Sequence, residues 1–243
     1  MDLGQSGARI KVGEKTSSFE IAKNSAESVV ATLERIFQQI PHANFENAFL
    51  SLTGLQGDVK DPKPYGELCK KYFQSKNVCV MDDGVASYLG ALGSREGVVL
   101  TLGGGVVAIA SNQGRFSHAD GKGPIFGDFG GGFWVGQSAM RIAIATLDGR
   151  DSAQDLVTLL DKELSEYRSL ADTTGVLASQ LCIRAAKTVA LGGEKGSANA
   201  KSILEEGARH LTATISAAWS KVRSEEHTSE LQSPCNLVCR LLL

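Results

Sequence analysis

Short apolar segments alternate with helical periodicity through the first half of the chain. Met1–Val12 predicts two strands joined by a tight turn at Gly4–Gly7, and Phe19–Ala22 predicts a third strand. Ala48–Thr53 and Val78–Met81 predict two further strands, because each is a short apolar run that ends at glycine or aspartate. Strands in this order, with helices between them, favour an α/β unit.

Three helices are predicted between and after these strands. Apolar residues recur at helical spacing through Val29–Phe37, with Asn24 as the predicted N-cap and Glu27 completing a capping box. A second helix is predicted after Pro64. The third, rich in small residues, spans Gly84–Leu92.

The second half of the chain begins with strands and continues with helices. Gly93–Glu96 marks a boundary, after which Val98–Leu102 and Val106–Ala110 predict two strands around Gly103–Gly105. Helical patterns then follow one another at Phe133–Leu147, Ala153–Glu166, Gly175–Leu191 and Ala198–Lys221. We therefore expect two α/β lobes, residues 1–94 and 95–222, rather than one doubly wound sheet.

The last segment, Arg223–Leu243, does not continue this pattern. Its sequence, RSEEHTSELQSPCNLVCRLLL, resembles the translation of a common short-read sequencing adapter. A metal site at Cys235, Cys239 and His227 is disfavoured, because the spacing fits no strong zinc pattern. We expect a non-native tail that packs against nothing in particular. The natural sequence would then be cut near Val222, which would leave the apolar face of the last helix partly uncovered.

Composition and charge narrow the class of protein. A net charge of −2, with 42% hydrophobic and 21% charged residues, is typical of a soluble globular protein and argues against a nucleic-acid or membrane-surface partner. Neither a long apolar run nor a signal-peptide pattern occurs. The isolated cysteines Cys69, Cys79 and Cys182 predict reduced core thiols. We expect a cytoplasmic protein, whose assembly as a homodimer is left open.

The most distinctive stretch is Gly121–Gly136, GKGPIFGDFGGGFWVG, which contains seven glycines. Glycines let the backbone approach a ligand closely, and the first N–H groups of the helix that follows predict a seat for an anion. A flexible linker is the alternative interpretation. It is disfavoured because apolar residues such as Ile125, Phe126 and Phe129 are interspersed among the glycines.

Two glycine turns, Gly4–Gly7 and Gly103–Gly105, occur one in each predicted lobe. Successive backbone N–H groups in such turns can bind the phosphates of a nucleotide, although each turn alone is also typical of a plain hairpin. Ser6 could add a hydroxyl group, and Asp2 could orient a phosphate-bound Mg²⁺ through water. The chain contains neither a Walker sequence nor a G-x-G-x-x-G motif.

Acidic residues follow the strands at two places. Asp82 and Asp83 come directly before a predicted helix, where one can act as N-cap and one as a general base toward a hydroxyl group. Asp128, between Gly127 and Phe129, is a candidate for hydrogen bonds to a polyol. No metal-ligand spacing connects the histidines His42, His118 and His210.

Motifs in a specific order carry a resemblance to a known family: DLGQSG, LTGLQG, VCVMDDGVASYLGA, GVVLTLGGG and GPIFGDFGGGFWVG. The order is similar to that of N-acetylglucosamine kinases and the related BadF/BadG-type ATPases of the actin-like sugar kinase superfamily. The resemblance covers Met1–Leu147 well and the later helices loosely. It implies an α/β, two-lobed actin-like ATPase (ribonuclease H-like) fold, with the second lobe incomplete in this chain. It also implies transfer of the γ-phosphoryl group of Mg-ATP to a hydroxyl of an amino sugar such as N-acetylglucosamine.

The resemblance implies roles for individual residues. Asp83 would deprotonate the sugar hydroxyl, and Asp2 would orient Mg²⁺. The residues expected to contact the phosphates of ATP are Gly4, Ser6, Gly103, Gly104 and Gly105. Those expected to contact the sugar are Gln56, Asp83, Gly127 and Asp128.

Several positions depart from the family pattern and keep alternatives open. Gly104 replaces a usual threonine, Val106 and Val107 replace polar sugar contacts, and the loop has GDFGG where GDEGS is expected. These changes favour a non-catalytic nucleotide- or sugar-binding regulatory protein as one alternative. A BadF-type ATPase that activates a radical dehydratase is the other, although no cysteine lies near a glycine turn. The truncation also predicts that this fragment has little activity.

Overall fold

A computed structural model describes residues 1–4, 7–20, 27–41, 43–55, 59–223 and 237–241. The chain divides into two units, Met1–Gly93 and Ser94–Leu243, each built around its own sheet. Within the described ranges, no helix has both the length and the apolar character needed to cross a bilayer.

The sheet of the first unit has five strands in the order β3-β2-β1-β4-β5. Strands β1, β4 and β5 are parallel, and the hairpin of β2 and β3 extends the sheet antiparallel from β1. Parallel neighbours require a crossover, and helices supply it here. The strands are β1 (Asp2–Leu3), β2 (Gly7–Val12), β3 (Lys15–Glu20), β4 (Asn47–Leu52) and β5 (Asn77–Asp82).

Three helices accompany this sheet: α1 (Val29–Phe37), α2 (Lys63–Phe73) and α3 (Asp83–Leu92). The apolar faces of α1 and α2 pack with the sheet into one core. Burying a side chain such as Leu33 or Leu52, both fully buried, is worth roughly 1.5–3 kcal/mol. The apolar spacing that predicted α1 is therefore the spacing that builds this core.

Two local predictions for the first unit are wrong. Helix α1 is capped by Ser28, whose Oγ accepts a hydrogen bond from the Ala31 N–H at 3.2 Å, and not by a capping box at Asn24. Glu27 instead forms an ion pair with Arg35 at 3.1 Å, and Asn24 lies outside the described residues. Strand β3 begins at Lys15 rather than at Phe19, because the hairpin closes over two residues, Gly13 and Glu14.

Cys79 is exposed, contrary to the expectation of a core thiol, whereas Cys69 is buried. Cys79 lies on the edge strand β5, between Val78 and Val80, which pack toward the core. Because side chains alternate along a strand, Cys79 points to the opposite face. The apolar residues on either side of Cys79 in the sequence therefore gave no information on whether Cys79 itself is buried.

The sheet of the second unit has the order β8-β7-β6-β9. Its strands are β6 (Gly97–Leu102), β7 (Val106–Asn112), β8 (Arg115–Asp120) and β9 (Leu237–Leu241). Strand β8 was not predicted, because RFSHAD is largely polar and only Ala119 is buried. A two-residue turn at Gln113 and Gly114, both with positive φ, joins β7 to β8 and is typical of a tight hairpin.

The expectation that the tail packs against nothing is wrong for β9. This strand pairs in parallel with β6, from Val98 opposite Leu237 to Leu102 opposite Leu241. Strand β6 is buried, and its edge away from β7 presents backbone groups that need hydrogen-bond partners. A strand-forming segment that reaches this edge satisfies them. The remaining tail residues lie outside the described ranges.

Five helices follow the β6–β8 meander: α4 (Gly132–Leu147), α5 (Gln154–Leu159), α6 (Asp161–Arg168), α7 (Val176–Glu194) and α8 (Ala198–Arg223). The single helix expected at Ala153–Glu166 is two helices, because Leu160 leaves helical geometry with φ −100° and ψ 19°. Helices α4 and α7 pack so closely that a Cβ added at Gly136 would lie 1.7 Å from the Cys182 carbonyl oxygen. This contact anchors the helical core of the second unit.

Helix α8 spans two cores, and its apolar face is covered only in part. Ile203 is buried in the helical core with α4 and α7. Further along, Ile215 and Trp219 pack on the core formed with β6, β7 and β8, together with Ala218 and Val222. Leu204, Leu211, Ile215 and Trp219 are partly buried, in line with the partial covering expected for this face.

We expect Gly136→Ala to lower the free energy of unfolding of the second unit by at least about 2 kcal/mol, because overpacking against a fixed backbone cannot be relieved by rotamer changes. Both tryptophans, Trp134 and Trp219, lie in this unit, so urea denaturation followed by tryptophan fluorescence reports it. Gly66→Ala, at a helical position in the first unit with no atom within 4 Å of the added Cβ, is the control. Equal midpoints for the two variants would contradict the packing described here.

Candidate active site

The carboxyl ends of the parallel strands in the first unit meet at one edge of the sheet. Asp2 lies opposite Ser51, and Leu3 lies opposite Leu52, which in turn lies opposite Asp82. Ligands of α/β sheets bind at the carboxyl ends of parallel strands. This edge is therefore the candidate site of the first unit.

Asp82 caps helix α3. Its φ of −63° and ψ of 142° are extended, and its Oδ1 accepts a hydrogen bond from the Gly84 N–H at 2.9 Å. The residue is only 4% exposed, on the face that carries the buried Leu3 and Leu52. Asp82 thus fixes the start of α3 immediately after the end of β5. It thereby also fixes the position of the next residue in the chain.

Asp83 is that residue, in the first turn of α3. Partial burial raises the pKa of its carboxyl group, and the charge of Asp82 raises it further. A hydrogen bond from the Thr53 side chain opposes this shift, and the more distant Asp2 adds to it. A carboxylate with a raised pKa is a stronger base, and a half-buried position leaves it accessible to a ligand.

Asp2 is held by two neighbours on adjacent strands. Its Oδ1 accepts a hydrogen bond from Ser51 Oγ at 3.1 Å, and its Oδ2 lies 3.2 Å from Arg9 Nη2. Across the described ranges, no cluster of three or more metal-ligating side chains occurs. Mg²⁺ keeps several waters and is held by few carboxylates together with phosphates. Asp2 fits such a hydrated Mg²⁺, because each oxygen keeps a lone pair for a water ligand.

Three other predicted site residues of the first unit are placed less favourably or lie outside the structure. Ser6 and Gln56, expected at the phosphates and the sugar, lie outside the described residues. Gly4 is described, but its N–H donates to the Gly7 carbonyl at 2.9 Å. The Gly4 amide is therefore used within its own turn.

In the second unit, the glycine turn Gly103–Gly105 between β6 and β7 is joined to the start of α4. The N–H groups of Gly132 and Phe133 donate to the carbonyls of Gly103 and Gly104 at 2.8 and 2.9 Å. The Gly103 N–H donates to the Gly105 carbonyl at 3.0 Å. Among the described residues, the N–H groups of Gly104 and Gly105 have no hydrogen-bond partner.

The expectation that the first N–H groups of α4 seat an anion is therefore wrong for the first two residues of the helix. Those of Gly132 and Phe133 are occupied by carbonyl oxygens of the turn, and the Gly131 N–H donates to the Asp128 carbonyl at 3.0 Å. The available donors instead belong to the turn itself, at Gly104 and Gly105. Successive backbone donors of this kind favour an anionic ligand.

Asp128 lies against this turn with its side chain buried, at 9% exposure. Its φ of 60° is in the left-handed region, which aspartate tolerates better than most residues. A Cβ added at Gly105 would lie 2.6 Å from Asp128 Oδ2. Position 105 must therefore be glycine for the carboxyl group to occupy this place.

The carboxyl group of Asp128 is not fully satisfied. Its Oδ1 is buried and has no hydrogen-bond partner in the part of the chain that the structure describes. Burial raises the pKa of Asp128, a backbone hydrogen bond from Val106 opposes the shift, and the charge of Asp120 adds to it. Buried polar atoms in folded proteins are nearly always hydrogen-bonded, so this oxygen indicates a place for a ligand donor or a water.

Asp120, the last residue of β8, positions the loop, and sequence analysis did not identify it. Its Oδ1 accepts the Asp128 N–H at 2.7 Å, and its Oδ2 accepts from Thr214 Oγ1 of α8 at 3.4 Å. A Cβ at Gly127 would lie 2.5 Å from Asp120 Oδ1, so this glycine makes room for the carboxylate. An aspartate directly before Gly-x-Gly was a usable signal, but the strand that ends in it was missed.

Helix α8 also holds the loop through aromatic and glycine contacts. The ring of His210 lies 5.3 Å from the rings of both Phe129 and Trp134. A Cβ at Gly130 would lie 2.6 Å from the Gly207 carbonyl oxygen, so loop and helix touch backbone to backbone. Ile125 and Phe126, two of the apolar residues that disfavoured a flexible linker, are exposed at 79% and 82%.

The fold is that of the actin-like ATPase class. The chain belongs to the BadF/BadG/BcrA/BcrD ATPase family, whose model matches residues 4–232. The α/β fold class and the family resemblance predicted from the motifs are both confirmed.

One curated relative and two solved structures are similar to this chain. An N-acetylmuramic acid/N-acetylglucosamine kinase of Clostridium acetobutylicum is 26% identical over 150 residues, 58% of this chain and 47% of the relative. The chain therefore spans about half the length of that curated relative. A provisionally named N-acetylglucosamine kinase of Chromobacterium violaceum has TM-score 0.64 and 23% identity, covering 98% of this chain and 85% of its own. Another from Porphyromonas gingivalis has TM-score 0.59 and 12% identity, covering 100% and 93%.

Asp128→Asn should remove a pH dependence of stability. Because burial raises the pKa of Asp128 in the folded state, its contribution to stability is complete below the ordinary value of 3.8 and is lost as pH rises through the folded value. From about pH 3.5 to about pH 7, the free energy of unfolding of the wild type should fall relative to that of Asp128→Asn.

The measurement is urea denaturation at several pH values, followed by tryptophan fluorescence. Asn tolerates the left-handed backbone and nearly keeps the shape of the side chain, so the variant isolates the charge. Asp151→Asn, at an exposed aspartate of the same unit, is the matched control. A wild type that gains stability relative to Asp128→Asn on raising the pH would contradict the assignment.

Proposed function

We propose that this protein is a sugar kinase that transfers the γ-phosphoryl group of Mg-ATP to a hydroxyl of an amino sugar such as N-acetylglucosamine. The observation that carries the proposal is Asp83, a half-buried carboxylate with a raised pKa at the carboxyl edge of a parallel sheet. Membership of an ATPase family and a curated relative named as a sugar kinase support it.

Asp83 acts as the general base in this proposal. Its carboxylate accepts the proton of the sugar hydroxyl while the hydroxyl oxygen forms a bond to the γ-phosphorus and the bond to the β-phosphate oxygen breaks. Thr53 and the cap at Asp82 keep the carboxylate in place. Asp2 would orient a phosphate-bound Mg²⁺ through water, and the ion would neutralise charge on the phosphates. Positioning of the reactants contributes most of the rate in such transfers.

The second unit supplies candidates for phosphate and sugar binding. The N–H groups of Gly104 and Gly105 are suited to phosphate oxygens, and Asp128 Oδ1 is suited to accept a sugar hydroxyl. Gly103 contributes the shape of the turn rather than a donor. Gly127 contributes space for Asp120 rather than a backbone contact, because its N–H donates to the Gly123 carbonyl.

Ser6 and Gln56 remain proposed ligands of phosphate and sugar on the strength of their motifs alone. Gly4 is proposed only as the residue that shapes the first turn, since its amide is engaged. The kinase would act in the cytoplasm, where its described cysteines Cys69, Cys79 and Cys182 remain thiols.

A second candidate is a non-catalytic protein that binds nucleotide or sugar. The observation that favours it is at Gly104, where an added Cβ would lie 3.0 Å from Ile183 Cδ1 of α7. Ile183 thus takes space beside the turn that the side chain of the family's usual threonine would need. The phosphate-binding turn lacks a hydroxyl, and an apolar side chain lies next to it.

Release of ADP from Mg-ATP, measured with and without a hexosamine panel, separates the candidates. The panel contains N-acetylglucosamine, N-acetylmuramic acid, glucosamine and glucose. ADP release that depends on one of these sugars supports the kinase. ADP release that is the same with and without sugar supports an ATPase. ATP binding by calorimetry without any ADP release supports the non-catalytic candidate.

Asp83→Asn should lower kcat by about 10²–10⁴, the usual effect of losing a general base, while the affinity for ATP stays unchanged. Asp82→Asn is the matched control, and it should cost far less turnover, because asparagine also caps a helix and Asp82 acts as the N-cap of α3. Both variants are measured by sugar-dependent ADP release and by thermal unfolding. Equal losses of turnover would show that the base is misassigned.

The double variant Gly104→Thr with Ile183→Ala should bind ATP about tenfold more tightly than the wild type, because a hydroxyl group is added beside the phosphates and the clash is removed. Gly104→Thr alone should gain less, and Ile183→Ala alone should leave the affinity unchanged. Calorimetry gives all four affinities. A double variant that binds ATP no more tightly than Ile183→Ala would exclude the missing hydroxyl as a limit on ATP affinity.

A further inference from the structure

A buried carboxyl group and a turn suited to an anion lie side by side in the second unit. The N–H groups of Gly104 and Gly105 have no hydrogen-bond partner among the described residues. A Cβ added at Gly105 would lie 2.6 Å from Asp128 Oδ2 and 3.5 Å from Asp128 Oδ1, so both carboxyl oxygens lie against the backbone of the turn. An anion held by these two N–H groups would therefore lie next to the carboxyl group of Asp128.

This arrangement is electrostatically unfavourable while Asp128 is ionised. Two like charges at short range repel each other, and the repulsion is stronger where water is excluded. The Asp128 side chain is buried, and its Oδ1 has no hydrogen-bond partner in the part of the chain that the structure describes. Little solvent is therefore available to screen the repulsion. A neutral carboxyl group at the same place would leave both N–H groups of the turn usable by an anion.

The surroundings of Asp128 already favour the neutral carboxyl group. Burial raises its pKa, backbone hydrogen bonds from Val106 and Gly123 oppose the shift, and the charge of Asp120 adds to it. Asp120 is held in place, because it accepts the Asp128 N–H at 2.7 Å and the Thr214 hydroxyl at 3.4 Å. An anion at the turn would add a second negative charge close to Asp128, and its effect would have the same direction.

The titratable side chains around Asp128 come from three parts of the second unit: His118 and Asp120 of β8, Lys122 of the loop, and Glu206 and His210 of α8. The start of β7, the Gly103–Gly105 turn and the first two turns of α4 carry no titratable side chain. His210 lies against Phe129 and 3.9 Å from Glu206. Because Asp128 is the titratable group that lies against the turn, we assign to it a proton taken up with the anion.

We propose that the Gly104–Gly105 turn binds its anion together with one proton, which comes from the solvent and is held on the carboxyl group of Asp128. Asp128 becomes neutral as the anion binds, and the proton returns to the solvent when the anion leaves. This inference rests on the proposed function only in that both place an anion at this turn. It adds that Asp128 determines how tightly the turn binds an anion and how that affinity depends on pH.

The direction of the pH dependence follows from linkage between the proton and the anion. Below the Asp128 pKa of the anion-free protein, the carboxyl group is already neutral and the anion binds without a proton. Between that pKa and the higher pKa of the anion-bound protein, binding takes up a proton, so the affinity falls as the pH rises. This window lies above the ordinary value of 3.8, because burial raises the pKa of Asp128 from there.

Sulfate is the probe, because it neither gains nor loses a proton in this pH range. Calorimetric titration of sulfate into the whole chain, in pairs of buffers with different enthalpies of ionisation, gives the number of protons taken up. The wild type should take up as much as one proton per sulfate within the window, and Asp128→Asn should take up none. At about pH 8, Asp128→Asn should bind sulfate about tenfold more tightly than the wild type, because one negative charge is removed beside the anion.

Two further variants and one spectroscopic measurement complete the test. Asp151→Asn, at an exposed aspartate of the same unit, is the matched control and should behave as the wild type. Asp120→Asn keeps an oxygen that can accept the Asp128 N–H but removes the charge, so it should move the window of proton uptake to lower pH. NMR signals of the Gly104 and Gly105 amides should shift with sulfate in all four proteins.

Three results would each overturn the proposal. These are amide signals of Gly104 and Gly105 that do not respond to sulfate at millimolar concentration, equal proton uptake by the wild type and Asp128→Asn, and a sulfate affinity of the wild type that does not change with pH. The sulfate measurements involve neither ATP turnover nor a sugar. A lack of sugar-dependent ADP release would therefore count against the kinase proposal and leave this result unaffected.

Discussion

The second unit depends on two hydrogen bonds between a glycine turn and a helix. The N–H groups that begin α4 donate to the carbonyls of Gly103 and Gly104, so a helix end and a hairpin turn satisfy each other. This arrangement requires bare backbone on both sides, since a Cβ at Gly132 would lie 3.0 Å from the Gly103 carbonyl oxygen. It also determines which donors remain for a ligand. The N–H groups of Gly132 and Phe133 are engaged by the turn, whereas those of Gly104 and Gly105 have no partner among the described residues.

The buried carboxyl group of Asp128 follows from the same constraint. With the turn drawn onto α4, Gly105 presents a flat backbone surface against which Asp128 Oδ2 packs. Asp120 then fixes the Asp128 main chain from the other side, through the 2.7 Å bond to its N–H. A carboxyl group held this firmly at a left-handed position keeps one oxygen without a partner among the described residues, a cost of the kind that functional sites tolerate.

Sequence analysis succeeded where periodicity and burial agree. The apolar spacing of α1 and the short runs of β4, β6 and β7 correspond to core faces, so these elements were predicted within a few residues. It failed where tertiary contacts decide. Strand β8 is polar because its exposed side chains lie on an edge strand, and the break at Leu160 has no glycine or proline to announce it. The pairing of β9 depends on an open strand edge far away in the chain.

The sequence predicted which residues belong to the candidate site better than it predicted their hydrogen-bond partners. The residues alone left Asp82 and Asp83 as a cap and a base in either order, and only the family resemblance implied that Asp83 is the base. The backbone angles of Asp82 assign the capping position to Asp82. The sequence made the N–H groups of Gly4 and Gly127 candidate donors to a ligand. In the structure, both donate to carbonyl groups within local turns. Such assignments need the hydrogen-bond partner of each group, which no spacing rule supplies.

Helix α8 has a mechanical consequence for the second unit. Its 26 residues form a continuous rod about 39 Å long. Ile203 near its start is seated among helices, Gly207 and His210 touch the glycine-rich loop, and Ala218 near its end lies on the sheet. A helix resists compression along its axis. A displacement of either end of α8 would therefore also displace the loop that carries Asp128. The helix therefore fixes the distances between the glycine-rich loop, the sheet and the helical layer of the second unit.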